Sequence, residues 1–250
     1  MQQPDRQSVI ENERRFHNER FTEETREAQG KYYASIKHGS LQFENRVLEI
    51  SRAADVLEYG CGSAIQGIRI AREATTLTGI DISDVAVRDA QAVADKEGLT
   101  NVRYHVMNAE EMTFEDDSFD LVFGRGIIHH LDLDLSFHNI ARVLRPGGRA
   151  LFWEPLGHNP VLNRYRDMTP DARTPDEHPL RKSDFDIAKK YLQVDDLKFF
   201  GLSTILSVPF RDTDFGDFLL RTTSAVDQVM FKTPARWMAW HVLMEIRKSR

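Results

Sequence analysis

Cysteine is almost missing from this 250-residue chain; Cys61 is its one example. A single thiol cannot close an intramolecular disulfide or build a cysteine-based zinc site. Long apolar runs are missing too. No stretch approaches the ~18 consecutive apolar residues that span a bilayer, so no membrane span is expected. The segment from Met1 to Glu27 is dense in charge and has no apolar core, unlike a secretory signal. A cytoplasmic location is the expectation. There is no excess of positive charge: 33 Lys and Arg stand against 39 Asp and Glu, a formal net charge of −6. That sign argues against nucleic acid as the main partner, because phosphate contacts need clustered cations. No internal repeat or low-complexity tract occurs. With 41% hydrophobic and 29% charged residues, the composition is that of an ordinary globular protein, long enough for one α/β domain with a cap or insertion.

Residues Val9 to Gln29 alternate in charge sign around Phe16 and Phe21, which predicts a mostly solvated helix. Leu41 to Ser51 predicts a second. Both are assigned to an N-terminal helical cap, residues 1–52, ahead of a domain over 53–250. From Asp55 on, short apolar runs alternate with helical patterns. Strands are expected at Val56–Tyr59, Leu77–Asp81, Val102–Val106, Phe119–Phe123 and Ala150–Trp153. Helices are expected between them: one after Gly62 with Ile65, Ile68 and Ala71 on one face, one capped by Ser83 and closed by Gly98, and one with Leu133, Phe137, Ile140 and Leu144 along a single face. Arg145-Pro146-Gly147-Gly148 stops the last. This alternation predicts βαβ units and a doubly wound parallel sheet. After Glu154, five of the nine prolines predict an irregular, lid-like insertion over residues 155–190. Leu197–Leu206 and Trp237–Ile246 are then expected to be strands, pairing as a hairpin-like edge around a helix at Phe215–Met230.

Ligands on open α/β sheets sit beyond the carboxyl ends of the strands, and that is where the informative residues fall. Glu58-x-Gly60-x-Gly62 follows the first strand, and its glycines allow a tight turn and close ligand approach. The helix start behind it favours an anion such as a methionine carboxylate. Asp81, at the end of the second strand, can accept both hydroxyls of a ribose. Asn108-Ala109-Glu110, after the third, offers a side-chain amide and a free backbone N–H to an adenine edge. A dinucleotide site would need a third glycine where Ile65 stands. Glu58 would also repel a pyrophosphate, whereas it suits a sulfonium and an ammonium.

These segments, with Phe119-Asp120-Leu121-Val122-Phe123, Ile128-His129-His130-Leu131 and Leu144-Arg145-Pro146-Gly147-Gly148-Arg149, resemble the successive motifs of the class I, Rossmann-like S-adenosylmethionine (SAM)-dependent methyltransferases, strongly over Asp55–Glu154. The resemblance implies a seven-stranded sheet with an antiparallel last strand and SAM as cofactor, with S-adenosyl-L-homocysteine as product. It implies cofactor contacts from Glu58, Tyr59, Gly60, Cys61, Gly62, Asp81, Ile82, Asn108, Ala109 and Glu110, with Arg125 at the methionine end, free to reach an acidic substrate group. Asn108 stands where the family more often has aspartate. The stretch Arg173-Thr174-Pro175-Asp176-Glu177-His178-Pro179-Leu180 is similar to stretches in bacterial methyltransferases of unassigned substrate.

Methyl transfer depends largely on positioning, and needs a base only if the acceptor must lose a proton. His130, then His129, are candidate bases after the fourth strand; a packed structural histidine is the alternative. Glu154 ends the fifth strand and is expected to face the crevice as a further catalytic candidate; a hydrogen-bond anchor for the Pro155 turn is the alternative. His158, Arg164 and His178, with Arg166, Arg173 and Arg181 as anion contacts, are expected on the lid. Tyr33 or Tyr32 is expected to cover the methyl group. The carboxylates and histidines of 154–178 match no tight metal motif, so no metal is expected. Trp237, Met238 and Trp240 are expected in the sheet rather than at a membrane. The expected function is methyl transfer to an oxygen, nitrogen or carbon nucleophile of a small-molecule acceptor. A SAM-binding protein that does not methylate, and a nicotinamide-dependent oxidoreductase, are the alternatives. The oligomeric state is not legible.

Overall fold

The computed structural model describes residues 10–16, 18, 34–169, 174 and 177–250. Seven strands, β1 (Asp55–Tyr59), β2 (Thr76–Asp81), β3 (Val102–Val106), β4 (Phe119–Arg125), β5 (Leu144–Pro155), β6 (Gln193–Phe200) and β7 (His241–Arg247), form one sheet in the order β3-β2-β1-β4-β5-β7-β6. The pairs among β1 to β5 are parallel, and β7 runs antiparallel to both neighbours. The expected doubly wound sheet with an antiparallel last strand is present. The expected hairpin-like edge is present too: β6 and β7 pair antiparallel on either side of an intervening helix, with β7 next to β5 and β6 outermost.

Successive residues of the central strands enter opposite cores. Val56, Leu121, Leu151, Trp153 and Leu243 pack on one side, with α1 (Lys37–Ile50), α2 (Ile65–Ala71) and α3 (Asp84–Lys96). Leu57, Val122, Ala150, Phe152, Val242 and Met244 pack on the other, with α4 (Leu133–Val143) and, after α5 (Pro160–Asp167), α6 (Asp184–Tyr191). Burial on both faces explains why these strands read as continuous apolar runs. α1, assigned to the cap, is a core layer: Phe43 and Val47 are fully buried. A Cβ on its Gly39 would come within 2.5 Å of Trp153 and Phe200. Ile65, expected on the inner face of α2, is 69% exposed.

The differences lie after β5. Asn159 caps α5 by accepting from the N–H groups of Val161 and Leu162, with Pro160 in the first turn. One of the prolines that predicted irregular chain thus starts a helix. β6 ends at Phe200, not Leu206. Gly201 turns at φ +80°, and buried Asp227 of α7 (Asp214–Met230) accepts from the N–H groups of Leu202 and Ser203 at 3.0 and 2.7 Å. That carboxylate takes donors a strand would need, so residues 204–210 wind into a 3-10 helix. Residues 234–238 form another 3-10 turn, capped by Thr233, which takes in Trp237 and Met238, the two residues expected to begin the last strand. Among the described residues, no helix is long and apolar enough to cross a membrane.

Candidate active site

Beyond β1 the chain turns through Gly60 and Gly62 at φ +77° and +47°. This backbone region favours glycine. The N–H groups of Gly60 and Cys61 bond to Ile80 O at 2.9 and 2.8 Å, which pins the loop to β2. Asp81 holds the same loop from its side chain: Oδ2 accepts from Gly62 N and Oδ1 from Ser83 N, both at 2.9 Å. Each carboxylate oxygen keeps a further lone pair for a ligand hydroxyl. Ile82 beside it is half-buried.

Glu58 lies beneath this loop, 4% exposed. Burial pushes its pKa up to about 8, against a backbone hydrogen bond from Gly67 and reinforced by the charge of Asp81. Its Oε2 is buried without a hydrogen-bond partner. A Cβ on Gly67 would sit 2.1 Å from that oxygen. The glycine that allows close packing here is therefore Gly67, which the sequence reading missed. It lies two residues beyond the dinucleotide position held by Ile65, so a search for that fingerprint passes over it. The side chains of Tyr59 and Cys61 lie in the two cores. Tyr59 is wholly buried, and its hydroxyl donates to Ala109 O at 2.8 Å. Burial raises the pKa of the Cys61 thiol far above its usual value, and that side chain lies in the core. Neither side chain lines the crevice.

After β3, Asn108 Oδ1 accepts from Glu110 N at 3.0 Å, starting a short turn over 109–111. Of the backbone N–H groups in this stretch, that of Glu110 is thus engaged. What remains is Asn108 Nδ2, a buried donor without a partner. Glu110 Oε1 accepts from Asp132 N at 2.6 Å, and its backbone carbonyl accepts from Asn139. Arg125, at the end of β4, donates to Ser40 Oγ at 2.6 Å and to Glu44 Oε1 at 3.4 Å, which ties it to α1.

Beyond β4 and β5 the construction changes. Glu154 is fully buried. Its Oε1 accepts from the N–H groups of Ile127 and Ile128 at 3.0 and 3.1 Å, and its Oε2 lies 2.7 Å from His129 Nδ1. A carboxylate can only accept here, so Nδ1 carries the proton and Nε2 keeps its lone pair. Glu154 does not face the crevice freely, as expected; it anchors the turn after β4. Nε2 of His129 points towards Glu177, 3.7 Å from its Oε1. Burial lowers the pKa of His129, with Glu154 opposing. The His130 ring lies 4.2 Å from that of His129, with Thr174 Oγ1 at 3.3 Å and Glu13 Oε2 at 3.7 Å from its Nδ1. Burial opposes charge on His130, but Glu13, Glu177 and Glu154 together hold its pKa above the usual value.

The segments that complete this cluster are remote in sequence. His178 N donates to His129 O at 2.9 Å, and Leu156 bridges to Leu180, so the 177–180 stretch lies along the histidine turn. The N-terminal helical residues cross from one side to the other. Asn18 bonds with Ser83 and Asp84 at the start of α3, while Glu13, 8% exposed, meets His130. Glu13 was not anticipated, being one acid among many on a segment that reads as solvated. His158 does not join the cluster: its Nε2 accepts from Lys182 N at 2.9 Å, holding the approach to α6. Arg164, Arg181 and the His178 side chain are exposed. Tyr32, Tyr33, Arg173 and Asp176 lie outside the described residues.

Residues 56–148 match the family model described as Methyltransferase domain. An uncharacterized methyltransferase, YcgJ, of Bacillus subtilis is 30% identical over 142 residues, covering 56% of this chain and 53% of the relative. Its crystal structure superposes with a TM-score of 0.59 at 20% identity, over 84% of this chain and 99% of the other. The O-methyltransferase resE of Aspergillus sclerotiorum is 36% identical over 105 residues, 41% of this chain and 40% of the relative. Phosphoethanolamine N-methyltransferase 2 of Haemonchus contortus, in complex with SAM, has a TM-score of 0.59 at 22% identity, over 82% of this chain and 53% of that one. The chain spans about half the length of these curated relatives or less. Residues 56–148 thus match the Methyltransferase domain model over part of the chain, and the seven-stranded sheet has the fold of the class I, Rossmann-like methyltransferases.

Proposed function

We propose that this protein transfers a methyl group from SAM to a nucleophilic atom of a small organic acceptor, releasing S-adenosyl-L-homocysteine. The observation that carries this reading is Glu58, buried beneath the glycine loop with an oxygen that has no partner. A carboxyl group there opposes the pyrophosphate of a dinucleotide and suits the cationic methionine end of SAM. A positive ligand also offsets the cost of ionising a buried acid. The rest of that half fits the same ligand. Asp81 has lone pairs for two ribose hydroxyls, and the orphaned Asn108 Nδ2 is a donor for a ring nitrogen of adenine. SAM supplies an activated methyl group; the chain's residues bind, orient and exclude water.

On the acceptor side, His129 is the residue that would meet the acceptor, through its Nε2 lone pair, and Glu154 is a positioning residue that acts through it. Its neighbour His130 and the covering residues Glu13 and Glu177 narrow the space, which favours a compact acceptor over a polymer. The name of the resE relative, an O-methyltransferase, supports a hydroxyl as the methylated group. A cytoplasmic location belongs to the same reading.

The test is calorimetric titration of the purified protein with SAM and, separately, with NADH. Micromolar affinity for SAM and none for NADH is expected. Formation of S-adenosylhomocysteine should follow with a panel of small hydroxylated and amino acceptors. Folded protein that ignores SAM would overturn the reading.

A further inference from the structure

The sequence spacing of the carboxylates and histidines after β5 matches no metal motif, yet folding assembles a ligand set that spacing cannot reveal. We propose that His129, His130 and Glu177 form a binding site for one divalent transition-metal ion on the acceptor side of the crevice. One donor atom from each lies within 4.8 Å of the other two. Two imidazoles and a carboxylate suit zinc, iron(II) or a related ion rather than magnesium or calcium, which take oxygen ligands. Ligand atoms ~2.1 Å from a tetrahedral zinc lie ~3.4 Å apart. His129 Nε2 and Glu177 Oε1, 3.7 Å apart, are already close to that spacing, and the remaining sides must draw in by at most about 1.4 Å.

Three features of the surroundings match what an ion needs. The first is the buttress. Glu154 accepts the proton of His129 Nδ1 at 2.7 Å and is itself fixed by two backbone N–H groups, so Nε2 is turned outward as a ligand atom. A carboxylate behind a ligating histidine is the usual means of fixing tautomer and ring orientation at metal sites. The second is the field. Glu154, Glu177 and Glu13 surround the two imidazoles at 2.7 and 3.7 Å from His129 and 3.7 Å from His130. The third is the way Glu177 arrives. The His178 N–H to His129 carbonyl bond and the Leu156–Leu180 bridge dock its loop directly on the histidine turn.

Three protein ligands leave a coordination position open. With the ion bound, the His129 Nε2 lone pair is taken up by the metal, so His129 would act on the acceptor through the ion rather than directly: placed at the ends of β4 and β5, the ion would take the acceptor oxygen and lower the pKa of its hydroxyl. This extension rests on the methyl-transfer reading; the metal site itself does not.

The experiment is titration of chelator-treated, full-length protein with Zn²⁺ by calorimetry and with Co²⁺ by visible absorption, which reports nitrogen and oxygen coordination. Wild type should bind one ion per chain at micromolar concentration. Glu177→Gln and His130→Gln should each weaken binding by ~10–100-fold. Each variant keeps a polar side chain of similar reach, and circular dichroism with a thermal melt of each checks that it is folded. Absence of micromolar binding in wild type would overturn the proposal. So would one-to-one binding left intact in both variants, since the ion would then sit on other histidines. Metal binding without SAM binding would instead count against the methyltransferase reading alone.

Discussion

The two halves of the crevice are made of different material. Beyond β1, β2 and β3 the surface is mostly backbone: a glycine loop pinned to Ile80 O, one carboxylate clasping two N–H groups, and one orphaned amide. Beyond β4 and β5 it is side chain: two histidines and three glutamates drawn from residues 13, 129, 130, 154 and 177. A backbone site needs local geometry, so its residues follow one another closely and recur as motifs. A side-chain site needs only that distant segments meet. The first half suits an unchanging cofactor, and the second is free to vary with the acceptor.

The largest effect is expected where the backbone half hangs on a single side chain. Asp81→Ala removes the acceptor for Gly62 N and Ser83 N as well as the proposed ribose contacts. Loss of two charge-assisted hydrogen bonds corresponds to ~4 kcal/mol, or ~1000-fold in the SAM dissociation constant. Calorimetry measures it. A tenfold change or less would mean that the loop keeps its shape without Asp81, and the contrast between the halves would fail.

The next effect concerns Glu58 in the protein without ligand. Its pKa is about 8 when folded, against an ordinary value of 4.5. The folded state therefore binds more protons than the unfolded state between those values, so this group's contribution to stability falls as pH rises. Between pH 5 and 8 the loss is ~3 kcal/mol from this group. Denaturant melts of wild type and Glu58→Gln across that range isolate it: the difference between the two should grow with pH, in favour of the variant. Parallel curves would show that Glu58 is not held in its neutral form.

Glu154→Gln tests the other half. Glutamine can still accept from Ile127 and Ile128, but its amide must then donate to His129 Nδ1, which moves the ring proton to Nε2. Nitrogen-15 NMR of the imidazole should report the switched tautomer. SAM affinity should stay within about twofold while methyl transfer falls by ~10–100-fold. An unchanged tautomer would remove Glu154 from its positioning role.

The same division decided what could be read in advance. Gly60, Gly62 and Asp81 were legible because the chemistry of a strand-end turn fixes both residue type and spacing. Gly67 was not, because its role is to admit Glu58 across a helix–strand contact, and no local rule demands a glycine there. His129 and His130 stood out as a pair, but Glu154 showed itself as an anchor only once its three donors were in place. Glu13 gave no signal, since it sits in an acidic stretch that reads as solvated, and Glu177 was one of several acids and histidines after β5 whose spacing matches no metal motif. The parallel sheet was carried by the βαβ alternation. The end of β6 was not, because Asp227 captures its backbone from another helix.

The smallest effect lies on the boundary between the halves, at Arg125. The resemblance placed it where it could reach an acidic substrate group, but its guanidinium bonds to Ser40 and Glu44 of α1. Glu44 also takes Arg69 of α2 at 3.0 Å, so this carboxylate joins three elements at the rim. The Arg125 side chain is 37% exposed, and a pair so screened contributes about 1 kcal/mol or less. If Arg125 only ties α1 to the sheet, Arg125→Ala should lower the melting temperature by a few degrees and leave SAM binding and the acceptor KM alone. If it also reads an acidic group, the acceptor KM should rise with kcat unchanged, because removing uniform binding affects KM alone. Arg125→Lys separates the two: lysine restores a charge but not the two-pronged reach to Ser40 and Glu44. Rescue of KM without rescue of melting temperature would assign Arg125 to the acceptor; a KM unchanged in both variants, with the melting temperature lowered in both, would assign it to the fold.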